Sequence, residues 1–136
     1  MLNPSLLEAY HQTNYCFGDI LLNVDERSSK AAALLRPFAT DGGLFITAWN
    51  PQGKELKVED NQKANQKLKA ELLTRGLNVI DGYGVSKDGK WREDSFFTYP
   101  IDKETSLKLC CAFSQNAVVY VSFDGLPELL LNPDIT

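Results

Sequence analysis

The order of hydrophobic periods from Leu44 onward admits few folds. Residues 44–49 (Leu44, Phe45, Ile46, Thr47, Ala48, Trp49) form a short apolar run of strand character that stops at Asn50-Pro51-Gln52-Gly53. A long polar helix is predicted over residues 59–75, with Leu68 and Leu72 on one stripe and Gly76 in the C-cap position. Residues 79–85 read as a strand carrying two glycines, and Ser86-Lys87-Asp88-Gly89-Lys90 as a hairpin turn with an Asp-Gly signal. Residues 91–101 return as the paired strand, and Asp102 caps a helix over residues 103–113. Residues 117–123 form a strand, Asp124-Gly125 turns, and residues 129–131 make a short last strand. The order is β-α-β-β-α-β with one extra C-terminal strand, that of an α+β, ferredoxin-like antiparallel sheet. Right-handed crossovers place both helices on one face of it.

The N-terminal part adds a helix, a strand and a helix. Asn3 caps a helix opened by Pro4 and Ser5, with Leu6, Leu7 and Tyr10 as its apolar stripe and an end near Asn14. Residues 17–24 read as a strand with Ile20, Leu22 and Val24 on one face. Ser28 caps a short helix over residues 30–36, which Pro37 stops, and Asp41-Gly42-Gly43 reads as a turn. This addition either extends the sheet or covers its second face. With 136 residues, and neither repeat nor linker, residues 1–136 are expected to form one domain.

Charge and cysteine usage narrow the class. Eighteen acids against 14 bases, a formal net charge of −4, disfavour a protein that tracks nucleic-acid phosphates. Three cysteines (Cys16, Cys110, Cys111) are an odd count for a disulfide framework, and the start Met1-Leu2-Asn3-Pro4-Ser5 has no basic segment followed by a long apolar run. No apolar run is long enough to span a bilayer. A cytoplasmic chain off the membrane, a monomer or homodimer, is expected. His11 is the sole histidine, which disfavours zinc and a Ser-His-Asp triad, and no phosphate-cradling glycine motif is present. No metal and no cofactor are expected. Cys110 and Cys111 share a stripe with Leu107 and read as small core residues.

Candidate site residues are polar groups that periodicity carries inward. Extending the Leu68–Leu72 stripe backward reaches Ala64, Asn65 and then Asn61. Asn61 is either a side chain serving backbone groups near the cap or an amide facing a ligand at the positive end of the helix. Alternation over residues 91–101 puts Trp91, Glu93, Ser95, Phe97, Tyr99 and Ile101 on one face. Glu93 is then carried toward the interior, either into an ion pair with Arg36 or Arg75 or as an acid/base group. Gln115 and Asn116 are turn-formers or paired amides. In the ferredoxin-like order, Asn50, Asn61, Gln115 and Asn116 meet at one sheet edge, whereas Glu93 is expected nearer the opposite one. Trp49 and Trp91 read as core or rim aromatics, and Trp49 as a stacking wall for a ligand.

Three stretches carry a family resemblance together: Phe45-Ile46-Thr47-Ala48-Trp49-Asn50-Pro51, Trp91-Arg92-Glu93-Asp94-Ser95-Phe96, and Phe113-Ser114-Gln115-Asn116-Ala117-Val118-Val119-Tyr120. The chain resembles a bacterial family of small uncharacterised proteins, the domain of unknown function numbered 3293. The resemblance implies candidate positions at Thr47, Asn50, Pro51, Asn61, Trp91, Glu93, Ser95, Gln115 and Asn116, and implies no mechanism. Lys57 and Asp94 depart from the family pattern, and Lys57 cannot cap, so the long helix is expected to begin at Glu59 or Asp60.

These features favour a binding module whose carboxamides hold a small polar ligand or peptide. An enzyme using Glu93 as general acid or base is the alternative from another class. A third reading is a protein–protein interaction factor, such as a defence or counter-defence component.

Overall fold

The computed structural model describes residues 3–135, and Met1, Leu2 and Thr136 lie outside the described residues. Within these bounds the helices are α1 (Pro4–His11), α2 (Ser29–Leu35), α3 (Val58–Thr74) and α4 (Lys103–Ala112). The strands are β1 (Thr13–Phe17), β2 (Ile20–Leu22), β3 (Gly42–Ile46), β4 (Asn78–Ser86), β5 (Arg92–Ile101), β6 (Ala117–Val121) and β7 (Pro127–Leu131). The fold is α+β: seven strands form one sheet in the order β2-β1-β4-β5-β3-β6-β7, every neighbouring pair antiparallel.

Local chemistry sets most helix starts. Asn3 accepts from the Ser5 amide at 2.7 Å, Ser28 from Ala31 at 3.1 Å, and Asp102 from Thr105 at 2.7 Å. Lys57 provides no side-chain cap, yet α3 begins directly after it at Val58, one residue before the earliest expected start. Gly76, at φ +77°, closes α3 in the left-handed region.

Both faces of the sheet are buried. Leu68 and Leu72 of α3 and Leu109 and Cys110 of α4 pack on Leu44, Ile46, Phe96, Val118 and Tyr120. On the second face, Tyr15, Phe17, Ile20 and Leu22 of the curled N-terminal strands, with Ala31 and Leu35 of α2, pack on Phe45, Phe97, Val119 and Val121. Phe17 stacks on Phe97 with ring centroids 4.0 Å apart. Two-sided burial explains why β3 and β6 read as unbroken apolar runs instead of alternating.

Several expectations are corrected. The strand over residues 17–24 is a hairpin: Gly18, at φ +54°, turns β1 into β2, with Phe17 opposite Ile20. The addition is therefore helix–hairpin–helix, and it does two things at once. β1 extends the sheet beside β4, and α2 covers the second face. Helix α1 ends at His11, short of Asn14, because Thr13 is drawn into pairing with Ser86. Gly42 and Gly43 belong to β3 instead of a turn. A β-carbon on Gly43 would lie 2.2 Å from the Phe97 ring, and one on Gly42 2.1 Å from the Val121 carbonyl. A register shift between Gly42 and Leu44 moves Ile101 into the cluster of Phe96, away from Phe97. Cys110 is buried, but Cys111 is partly exposed.

Candidate functional site

The chain leaving β3 is folded back by four side chains, Thr47, Asn50, Asn61 and Asn65. The Thr47 hydroxyl donates to the Asp94 carbonyl at 2.7 Å and accepts from the Trp49 amide at 3.1 Å. Asn50 adopts the left-handed conformation (φ 45°, ψ 67°), which asparagine tolerates better than most residues. Its Oδ1 accepts from the Leu56 amide at 3.0 Å and from Asn61 Nδ2 at 2.8 Å. Asn61 Oδ1 in turn accepts from the Asn50 amide at 2.8 Å. One turn along α3, Asn65 accepts from the Ala48 amide at 2.8 Å and donates to the Asp94 carbonyl at 2.9 Å. Asn61 and Asn65 are buried and engaged in holding this loop, while Nδ2 of Asn50 bonds no described residue.

The loop before β6 is built against it. Ser114 is also left-handed (φ 54°), and its carbonyl accepts from the Gln52 amide at 2.7 Å. Gln115 Nε2 donates to the carbonyls of Phe113 at 3.3 Å and Trp49 at 3.4 Å, and its Oε1 bonds no described residue. Behind them, Asn132 donates from Nδ2 to the Gln115 carbonyl at 2.8 Å and from its amide to the Asn116 carbonyl at 2.9 Å. Gly53 sits beside Asn116, a β-carbon there lying 3.4 Å from Asn116 Nδ2, and its φ of +74° is the left-handed region that favours glycine.

The β4–β5 hairpin and α1 supply the remaining walls. Asp88 accepts from the Ser86 hydroxyl at 2.7 Å and the Lys90 amide at 3.0 Å, bonds that hold its carboxyl below the usual range. Trp91 stands at the rim, 41% exposed. Glu93 and Ser95 share a face with Phe97, and the Ser95 hydroxyl donates to the Glu93 carbonyl at 3.1 Å. From α1, the Tyr10 carbonyl accepts from the Tyr15 hydroxyl at 2.8 Å, and the Ala9 carbonyl accepts from the Thr13 hydroxyl at 2.6 Å.

These segments enclose one concavity of about 500 Å³. Thr47, Trp49, Asn50, Trp91, Glu93, Ser95, Gln115 and Asn116 all line it, joined by Tyr10, Tyr15 and Asp88. Asn61 does not; it stands behind Asn50. The expectation that Glu93 lies at the opposite edge is overturned. β5 runs antiparallel to its neighbour β3, with Ile46 opposite Phe96, so the start of β5 lies beside the end of β3. The start of β6 lies there too, because Phe45 pairs with Val119.

The electrostatics centre on Glu93. Arg75 pairs with Glu71 at 3.5 Å, and Arg92 lies 3.9 Å from the centre of the Tyr83 ring. Among the described residues no cation and no hydrogen-bond donor reaches the Glu93 carboxylate, so of the two readings the ion pair with Arg36 or Arg75 is absent. Burial pushes its carboxyl up from 4.5 to about 7. Near neutrality it is a mixture of acid and carboxylate and can give or take a proton. Burial, and then the charge of Glu93, push the Tyr10 hydroxyl up to about 12, against a hydrogen bond with Asn116. Among the described residues no three His, Cys, Asp or Glu side chains gather closely enough to hold a metal ion. No helix among them is long and apolar enough to cross a membrane.

The family described as "Protein of unknown function (DUF3293)" matches residues 46–118, more than half of the chain, and the chain belongs to that family. No curated protein and no solved structure matches it. The matched span carries every site residue from Thr47 to Asn116, and α1 with Tyr10 lies outside it.

Tyr10, Tyr15, Asp88 and Asn132 are the participants that sequence reasoning passes over. Tyr10 sits on the apolar stripe of α1 and reads as core. Asp88 reads as the Asp of an Asp-Gly turn, and Asn132 lies just past the last strand read, residues 129–131. The structure separates Tyr10 from the core: no residue of α1 is fully buried, so its apolar stripe faces the pocket.

Proposed function

We propose that this chain is a binding protein for a small molecule with an apolar body and a polar end, held in the pocket between α1, the end of β3 and the start of β6. The observation that carries the reading is that eight dispersed residues, from Thr47 to Asn116, line one concavity. Its size and composition suit the purpose: mostly apolar and aromatic walls with a few oriented polar groups. Asn50 Nδ2 and Gln115 Oε1 offer a donor and an acceptor that the fold leaves unused. The central strands, in the order β4-β5-β3-β6 with antiparallel pairing, support reading this part as a ferredoxin-like unit.

A fragment screen followed by amide and side-chain NH₂ NMR tests the binding reading. Hits are expected to move the side-chain signals of Asn50, Gln115 and Asn116 together. Hits that bind only elsewhere on the surface would defeat it.

One observation favours an enzymatic reading as the alternative. Glu93 is an unpaired, partly buried carboxyl titrating near neutrality, with the Tyr10 hydroxyl close enough to feel its charge. In that reading Glu93 moves the proton, and Asn116 and Gln115 orient the reacting group. Titration of Glu93 by carboxyl-carbon NMR decides whether the group is poised: a value near 4.5 removes the basis for it.

A further inference from the structure

The pocket walls carry charge of one sign only. Among the described residues that line it are the carboxylates Glu93 and Asp88, and no lysine, arginine or histidine. The acid that lies inside, Glu93, has neither an ion-pair nor a hydrogen-bond partner there. The same lining carries five large aromatic side chains: Tyr10, Tyr15, Phe45, Trp49 and Trp91. The unused acceptor Oε1 of Gln115 is balanced by the unused donor Nδ2 of Asn50, so the sign preference of the pocket rests on the carboxylates. A desolvated, unpaired carboxylate among aromatic rings is the arrangement that a positively charged N–H donor completes. The cation supplies the missing ion pair, and the rings attract it through their quadrupoles.

We propose that the ligand of this pocket is a small organic cation of the amine or amidinium class, its N–H groups on the Glu93 carboxylate and its hydrocarbon part against the aromatic walls. The inference rests on the binding reading above and names the ligand class for that site. An anionic ligand would meet Glu93 and Asp88 with no cation to offset them. A neutral amide would leave Glu93 without a counter-charge.

Binding is coupled to protons with a definite sign. A cation beside Glu93 holds it ionised, so the carboxyl, about half protonated at pH 7 when the pocket is empty, releases its proton as the cation enters. Affinity rises as pH rises through 7 and levels off above it. The titratable groups facing Glu93 are Tyr10 from α1, Tyr15 from β1 and Asp88 from the β4–β5 turn. Burial raises both tyrosine hydroxyls well above neutrality, and Asp88 is held low by its hydrogen bonds. None of them titrates in the same window.

The test uses isothermal titration of the full chain at pH 6, 7 and 8 with benzamidinium and tryptammonium as cationic probes. Benzamide and indole serve as their neutral counterparts. The expected result is at least about a tenfold preference for each cation at pH 8. At pH 7, comparison of buffers with different ionisation heats should show release of about half a proton. Glu93→Gln should abolish both the preference and the proton release. Equal or tighter binding of the neutral counterparts would overturn the cation assignment and leave the pocket reading standing. Cation binding that Glu93→Gln does not weaken would also overturn it, as would the absence of binding by both cations. Failure of the pocket reading itself shows separately, in NMR hits that never touch Asn50, Gln115 and Asn116.

Discussion

Glu93 loses solvent on folding without gaining a partner, so it works against the folded state in a defined pH window. Below 4.5 the carboxyl is protonated in both states and contributes nothing. Between 4.5 and about 7 the unfolded chain releases the proton while the folded chain keeps it, so each step up in pH favours unfolding. Above 7 the full penalty is present. At about 1.4 kcal/mol per pH unit, the gap from 4.5 to about 7 corresponds to about 3 kcal/mol. Glu93→Gln is therefore expected to match the parent in denaturant stability at pH 4.5 and to exceed it by about 1–3 kcal/mol at pH 8. Parallel unfolding curves at the two pH values check this, and a pH-independent difference would show that the group is not desolvated. A residue that costs stability in this way is a mark of a functional constraint. Periodicity alone pointed Glu93 inward. Its lack of a partner was not legible, because that depends on where Arg36, Arg75 and Arg92 come to rest in three dimensions.

At the scale of elements, the legible features are those written within a few residues. The caps at Asn3, Ser28 and Asp102 and the left-handed Gly76 each follow from local chemistry, and each forms as read. Gly42-Gly43 was misread for the converse reason. Adjacent glycines suggest a turn locally, but here they answer a tertiary demand, the close approach of the Phe97 ring and the Val121 carbonyl. The two asparagines of α3 show the same contrast. Helical periodicity turns Asn61 and Asn65 inward, and only the fold shows them engaged with the loop after β3. Asn65 joins α3 at once to the loop after β3, through the Ala48 amide, and to β5, through the Asp94 carbonyl. Asn65→Ala leaves both groups without that partner in a buried setting and is expected to cost about 2–4 kcal/mol. Gln62→Ala, on the exposed face of the same helix, is expected to stay within about 0.5 kcal/mol. Equal effects in chemical denaturation would mean that the Asn65 bonds do not dock the helix.

At the scale of the whole molecule, antiparallel pairing gathers chain ends at one edge of the sheet. β3 and β4 finish there and β5 and β6 begin there, as Ile46 opposite Phe96, Val85 opposite Arg92 and Phe45 opposite Val119 require. β1 begins at that edge beside Ser86, so α1 is delivered to it, and β7 ends there opposite Ala117, which delivers Asn132. The site was half legible for this reason. The carboxamides were read to the correct edge from strand order, and Glu93 was misplaced because the direction of β5 relative to β3 was not followed through. α1 differs from the other walls. It has no fully buried residue and meets the pocket through Leu6, Ala9 and Tyr10, whereas every residue of β3 and β6 is buried. A wall with so little buried surface opens more readily than the sheet it covers. Amide hydrogen exchange is expected to give α1 protection at least about a hundredfold below that of β3 and β6. A bound ligand contacting Tyr10 should raise α1 protection and leave the already slow central strands unchanged. Protection in the empty protein as high in α1 as in β6 would mean that the helix is a fixed part of the fold, and that a ligand enters by the Trp91 rim without displacing it.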